Sequence, residues 1–240
     1  MPINAIKAFN DNYIWCMQYR DQAVVVDPGD PAPVLQYLQQ NNLTLSAILI
    51  THHHHDHTGG VAELLKHFPV TVYAPANGNY DFKHHPVAEG DCLELTEVGC
   101  ELTVMEVPGH TIDHVAYYNH DILFCGDTLF AGGCGRIFEG TPEMMYQSLM
   151  RLAALPAETK VYCAHEYTLS NLHFAQSVDP DNAELMQRIE IEAAKRERDE
   201  PTVPSTIGLE LKTNPFLSLP LQDSDPVQRF AELRALKDRF

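Results

Sequence analysis

The hydrophobic and polar pattern reads as strands over Ile3 to Phe9, Tyr13 to Tyr19 and Ala23 to Val26, the last of which ends at Asp27-Pro28-Gly29. A helix is expected from about Pro31 to Gln40, with proline in its first turn. Leu45 to Ile50 is a largely apolar run, so a buried strand is predicted over 46–51, followed by a polar loop and a helix from about 59 to 68. Strand signals recur at Val70 to Tyr73, Cys92 to Leu95, Leu102 to Val107, and Val115 to Tyr118 with Ile122 to Cys125, the last two read as a hairpin. Residues 77–90 are polar and turn-rich and take no assignment. Thr141-Pro142-Glu143 caps a helix running to about Ala154, and Lys160 to Ala164 is a strand ending at His165. Beyond His165 the pattern is helical: Leu169 to Val178, Asn182 to Arg198, a Pro- and Thr-rich linker over 201–206, and a closing amphipathic helix from Pro226 to Phe240. Meandering strands with few helices suggest two mixed sheets packed face to face with helices outside. The change of character places a boundary near residues 166–168.

The polar loop after the 46–51 strand reads Thr51-His52-His53-His54-His55-Asp56-His57-Thr58-Gly59-Gly60. Read back from Asp56-His57, it contains H-x-H-x-D-H. Residues two apart in an extended segment point the same way, so His52 and His54 can share one ion. Asp56 and His57, at the turn, can face a second. His53 and His55 then point elsewhere and are bystanders, as is His114. A purification tag would be terminal and uninterrupted; this run is internal and contains an aspartate. Three further strand ends carry possible ligands: His110 in Pro-Gly-His-Thr, Asp127 in Cys-Gly-Asp-Thr and His165 in Cys-Ala-His-Glu. Taken singly, each is more simply a cap or a hydrogen-bonding residue; their recurrence beside the histidine loop favours ligation.

Composition narrows the partners. At 240 residues, 45% hydrophobic and 20% charged, the chain has the make-up of a soluble globular protein, and no apolar run approaches a membrane span. The first residues lack the segments of a signal peptide. Six cysteines without a C-x-x-C pair fit reduced thiols in a cytoplasmic protein. A net charge of −17 argues against nucleic acid, which needs a basic surface. That charge is uneven: residues 1–187 hold 7 bases against 23 acids, and residues 188–240 hold 9 against 10.

The order H-x-H-x-D-H, then His, Asp and His, resembles the metallo-β-lactamase superfamily. The resemblance implies an α+β fold, a four-layer αββα sandwich (residues 1–166), here followed by an α-helical domain (167–240). It implies that His52, His54 and His110 bind a first metal, that Asp56, His57 and His165 bind a second, and that Asp127 bridges them. Two divalent ions per chain are expected, zinc first, with iron or manganese as alternatives for an all-nitrogen-and-oxygen donor set. Two such cations about 3.5–4 Å apart share a hydroxide at neutral pH, which Asp56 can orient as the catalytic acceptor.

Further motifs resemble the glyoxalase II (hydroxyacylglutathione hydrolase) family along nearly the whole chain. They are Asp11-Asn12-Tyr13-Ile14-Trp15, Phe124 to Phe130, Gly133 to Thr141, His165 to Asn171, Asn214-Pro215-Phe216-Leu217 and Arg234-Ala235-Leu236-Lys237-Asp238. The resemblance implies hydrolysis of S-D-lactoylglutathione to D-lactate and glutathione, with Arg136, Phe138, Tyr167, Arg234 and Lys237 lining the glutathione site. Arg234 and Lys237, three apart on a helix, are expected to project from one face. Eukaryotic members usually carry Lys and Tyr where this chain has Arg136 and Phe138, and often an arginine where it has Ser218. The expected partner is a small glutathione thioester, with no nucleic acid, no membrane and a monomeric chain. A single-iron persulfide dioxygenase of the same superfamily and a non-catalytic histidine-rich metal buffer are the alternatives.

Overall fold

The computed structural model describes all 240 residues, and its secondary structure is α+β. The chain divides into two compact units: Met1–Glu106 with Asp113–Asn119, and Val107–Ile112 with His120–Phe240.

In the first unit, β1 (Ile3–Ala8), β2 (Asn12–Tyr19) and β3 (Gln22–Val26) form an antiparallel meander. Helix α1 (Pro31–Gln40) crosses to β4 (Thr44–Leu49), which runs parallel to β3. Asp30 caps α1 by accepting from the Ala32 N–H, with Pro31 at the first helical position. The short α2 (His55–Thr58) and α3 (Val61–His67) then lead to β5 (Thr71–Pro75) and β6 (His85–Val87), both parallel additions to the sheet. Its order, β1-β2-β3-β4-β5-β6, puts β3 and β4 at the centre, where a strand is covered on both faces, and this is why they read as mainly apolar runs. Ile6, Ile14, Val25, Val34, Leu38, Ile48 and Leu64 belong to the core on one face of this sheet. Strands β7 (Cys92–Leu95), β8 (Cys100–Glu106) and β9 (Val115–Tyr118) pair antiparallel. The buried Tyr117 hydroxyl of β9 donates to the Ile50 carbonyl at 2.7 Å, and the Val115 N–H donates to that of Thr51 at 2.9 Å. These bonds pin β9 to the end of β4.

In the second unit, β10 (Ile122–Gly126) is followed by a two-residue-strand hairpin, β11 (Leu129–Phe130) and β12 (Gly133–Cys134). Helix α4 (Pro142–Ala153), capped by Thr141, precedes β13 (Lys160–Cys163), which runs parallel to β10. Helices α5 (Thr168–Val178) and α6 (Ala183–Glu197) follow. Then come β14 (Ser205–Thr206), the short helices α7 (Ile207–Thr213) and α8 (Pro215–Ser218), and α9 (Pro226–Lys237). Among these helices Phe174 stacks on Phe216, which meets Phe230 edge-on. The segment after His165 is therefore not purely helical. β14 pairs antiparallel with β13, and Thr202 in the expected linker is buried, its N–H and hydroxyl both donating to the Glu166 carboxylate. No helix is long and apolar enough to cross a membrane.

Candidate metal centre

Strand register explains why the histidine loop is ordered. Val26 of β3 lies opposite Leu49 of β4, so Asp27 and Thr51, just past those strands, meet at one edge of the sheet. The buried Asp27 carboxylate accepts from the Thr51 N–H at 2.8 Å and from its hydroxyl at 2.7 Å. It also faces His57 Nδ1 at 3.0 Å. A carboxylate can only accept, so Nδ1 carries the proton and Nε2 turns its lone pair outward. Asp27 holds a φ of +54°, a region that costs most residues but that Asp tolerates. Gly29 lies so close to the Asp56 carbonyl that a Cβ there would overlap it. Asn12 donates to Asp56 Oδ2 at 3.1 Å.

Within this unit His52 Nε2 and His54 Nδ1 lie 3.1 Å apart, and His57 Nε2 lies 3.5 Å from Asp56 Oδ2. The four residues of the H-x-H-x-D-H pattern thus converge in pairs. His53 turns away, its Nδ1 on the buried Asp113 carboxylate at 2.9 Å, which also accepts from the Tyr80 hydroxyl. Solvent-exposed His55 belongs, with His53, Tyr80 and Phe82, to the wall of a cleft of about 330 Å³. His114 is fully buried and stacks on His52 at 4.5 Å.

The second unit repeats the device. Phe124 lies opposite Tyr162 and Gly126 opposite Cys163 in the parallel pair, so Asp127 and His165 leave the same end of adjacent strands. His165 Nε2 lies 3.4 Å from Asp127 Oδ1, and His110 Nε2 lies 3.5 Å from Asp127 Oδ2. His110 Nδ1 donates to the Arg136 carbonyl at 2.7 Å, which leaves Nε2 as the lone-pair atom. A Cβ at Gly135 would overlap the Asp127 carbonyl, so the turn that carries Arg136 needs glycine to lie against this residue.

These separations suit a divalent cation. Ligand bonds of about 2.0–2.2 Å in tetrahedral array put neighbouring donor atoms about 3.3–3.6 Å apart. A lone pair facing a carboxylate oxygen at that distance is repulsive until a cation joins them. All seven residues offer imidazole nitrogen or carboxylate oxygen, a set that suits zinc, iron or manganese.

The residues expected to line a glutathione site also lie in the second unit. The Tyr167 ring stacks on His165 at 4.7 Å, nearly parallel, and Phe138, 60% exposed, meets the His110 ring edge-on at 5.2 Å. Arg136 is exposed and its Nε pairs with Asp238 Oδ1 at 3.4 Å. Lys237 donates to the Ser170 carbonyl at 3.1 Å and lies over the Phe174 and Phe240 rings. Burial, and then the nearby Arg234 charge, hold its pKa below the ordinary lysine value. Arg234, expected to share one face with Lys237, is the more deeply buried of the two. It is 7% exposed, donates to the Cys134 carbonyl at 2.9 Å and to Asp238 at 3.0 Å, and lies over the Phe216 ring. Helical spacing gives the same stripe to both residues, but α9 packs that stripe unevenly, burying Phe230, Leu233 and Arg234. Sequence reasoning missed Asp27, Asp113 and Asp238 as organising acids. Asp27 ends a strand just as Asp127 does, and that shared setting was the available signal.

Two sequence-family models match: metallo-β-lactamase superfamily over residues 10–165 and hydroxyacylglutathione hydrolase C-terminus over 166–240. A hydroxyacylglutathione hydrolase from Methylobacillus flagellatus is 50% identical over 98% of both chains. This chain belongs to the hydroxyacylglutathione hydrolase family of the metallo-β-lactamase superfamily. Among solved structures, ETHE1 from Myxococcus xanthus matches with a TM-score of 0.73 and 25% identity, covering 98% of this chain and 90% of that one. A protein crystallised in a di-iron-bound form, TTHA1623, matches at 0.64 and 27%, covering 90% and 100%. The chain has the superfamily's α+β fold with a helical C-terminal domain and binds divalent metal through its His/Asp clusters.

Proposed function

We propose that this protein hydrolyses S-D-lactoylglutathione and related 2-hydroxyacylglutathiones to D-lactate and glutathione, the second step of methylglyoxal detoxification. One observation carries the reading beyond family membership: Tyr167 and Phe138, expected to face the substrate, pack on His165 face to face and on His110 edge-on, the two histidines being expected to hold metal. In this reading His52, His54 and His110 would hold one ion and Asp56, His57 and His165 a second, with Asp127 a ligand to both. Zinc is the first choice, and the di-iron form of a relative keeps iron as the second. Residues 1–166 form the catalytic domain and 167–240 the glutathione-binding one. The enzyme acts as a monomer in the cytoplasm, where thiols stay reduced.

Bound divalent ions supply hydroxide at neutral pH and polarise a carbonyl. The protein's residues place the reaction. Asp56, held by Asn12, accepts a hydrogen bond from the nucleophile and aims it at the thioester carbonyl. Asp27 keeps the His57 ring in one tautomer. Tyr167 and Phe138 bound the approach to the carbonyl. Arg136 and Lys237 supply local cations for the two glutathione carboxylates, which a chain of net charge −17 must otherwise repel. The leaving thiolate needs little acid assistance, since a thiol pKa is about 8.5.

The test is release of free thiol from S-D-lactoylglutathione, with metal content measured on the same sample. Turnover with close to two metals per chain supports the proposal. Oxygen uptake on a glutathione persulfide, one iron per chain and no thioester turnover would replace it with the dioxygenase reading.

A further inference from the structure

The hydroxyacylglutathione hydrolase reading assigns no role to Asp238, and we propose that this residue positions the Arg136 guanidinium for the substrate carboxylate, with Arg234 acting through it rather than on the ligand. This inference rests on the proposed function and concerns its substrate-binding machinery.

Asp238 is the C-cap of α9, where the helix dipole disfavours a carboxylate. Two guanidinium groups offset that cost, one on α9 itself and one on the segment facing it. Oδ1 accepts from Arg234 Nη2 at 3.0 Å and pairs with Arg136 Nε at 3.4 Å. Arg234 Nη1 meanwhile holds the Cys134 carbonyl at 2.9 Å. Two residues four apart on a helix thus grip two residues two apart on the facing segment. The spacings agree: four helical residues rise about 6 Å, and two extended residues span about 6.6 Å. Helix α9 is a template for the register of residues 134–136. Because Asp238 engages Nε, the two terminal nitrogens of Arg136 remain as a fork for bidentate carboxylate binding.

The held segment reaches the metal ligands as well. The Arg136 carbonyl orients His110, and Phe138 packs on the same ring. A charge lost at Asp238 loosens the Arg136 side chain while the Arg234 bond to Cys134 still anchors the backbone. The effect therefore falls on substrate binding and spares the metal.

The experiment is a cycle of Asp238→Asn and Arg136→Met in the metal-loaded full chain, reading KM and kcat for S-D-lactoylglutathione, glutathione Kd by calorimetry, metal content and melting temperature. Asp238→Asn is expected to raise KM and Kd about tenfold, with kcat within about twofold and metal content unchanged. In the Arg136→Met background the same substitution should leave KM and Kd unaltered. An equal effect in both backgrounds, an unchanged KM, or a fall in kcat that follows metal loss overturns the proposal. A wild type that binds glutathione without hydrolysing the thioester refutes the proposed reaction and leaves the coupling readable from Kd; one that binds no glutathione refutes both.

Discussion

Removing the Asp27 carboxylate takes from Thr51 the acceptor of its N–H and hydroxyl and frees the His57 ring to turn. Asn is the informative replacement, because it also tolerates the left-handed φ of +54° at this position. Asp27→Asn should weaken metal binding about 10–100-fold, the usual cost of losing a group that orients a ligand. Competition against a chromophoric chelator measures it, and unchanged affinity would remove Asp27 from the site. Lys237 gives a pH signature. Its pKa lies below the ordinary lysine value of 10.5, because burial penalises the charged form. Its cation is therefore lost earlier on raising the pH, and KM for the anionic substrate should climb on the alkaline side before an exposed lysine would titrate. Lys237→Met should flatten that climb while leaving the acid side of the profile unchanged.

Long elements with a clear period were legible in the residues: β1 to β4, α1, α4 with its Thr141 cap, and α6 all lie within a few residues of their expected bounds. The histidine loop was equally plain, because an H-x-H-x-D-H run after a buried strand has few other uses. The four-residue strands β7, β9 and β13 were legible as well, but the other elements of two to four residues were not. β6, β11, β12, β14 and α8 are too short for any period to register, and they exist because neighbours hold them. The β11–β12 hairpin illustrates the cause. Asn214 donates to the carbonyls of Phe130 and Gly133, and the buried Glu210 carboxylate accepts from the Gly132 N–H while pairing with Arg188 at 2.6 Å. No local pattern announces bonds that join residues some eighty positions apart. Arg188→Met leaves Glu210 as a buried charge without its partner, which costs about 3–5 kcal/mol in such settings. Denaturant unfolding should show that loss, and a change below 1 kcal/mol would mean that Glu210 is otherwise neutralised.

Metal should matter to the whole molecule as well as to its chemistry. Stripping it with a chelator should abolish thiol release and lower the melting temperature, since an ion present at about 100 times its Kd stabilises by about 2.7 kcal/mol. Equal melting points with and without metal would argue that the ligands are held rigidly by the fold alone. The α9 grip on residues 134–136 also has a consequence in time. Arg234 and Cys134 are 100 positions apart, whereas Asp27 and His57 are separated by 30. Closing the longer loop costs about 1 kcal/mol more chain entropy, and non-local contacts form late. The single tryptophan, Trp15, lies buried in the sheet that carries the histidine loop and reports on that sheet alone. During refolding its fluorescence should recover before thioester turnover does, so that for an interval the histidine loop has its strands in place while the chain is still blind to glutathione.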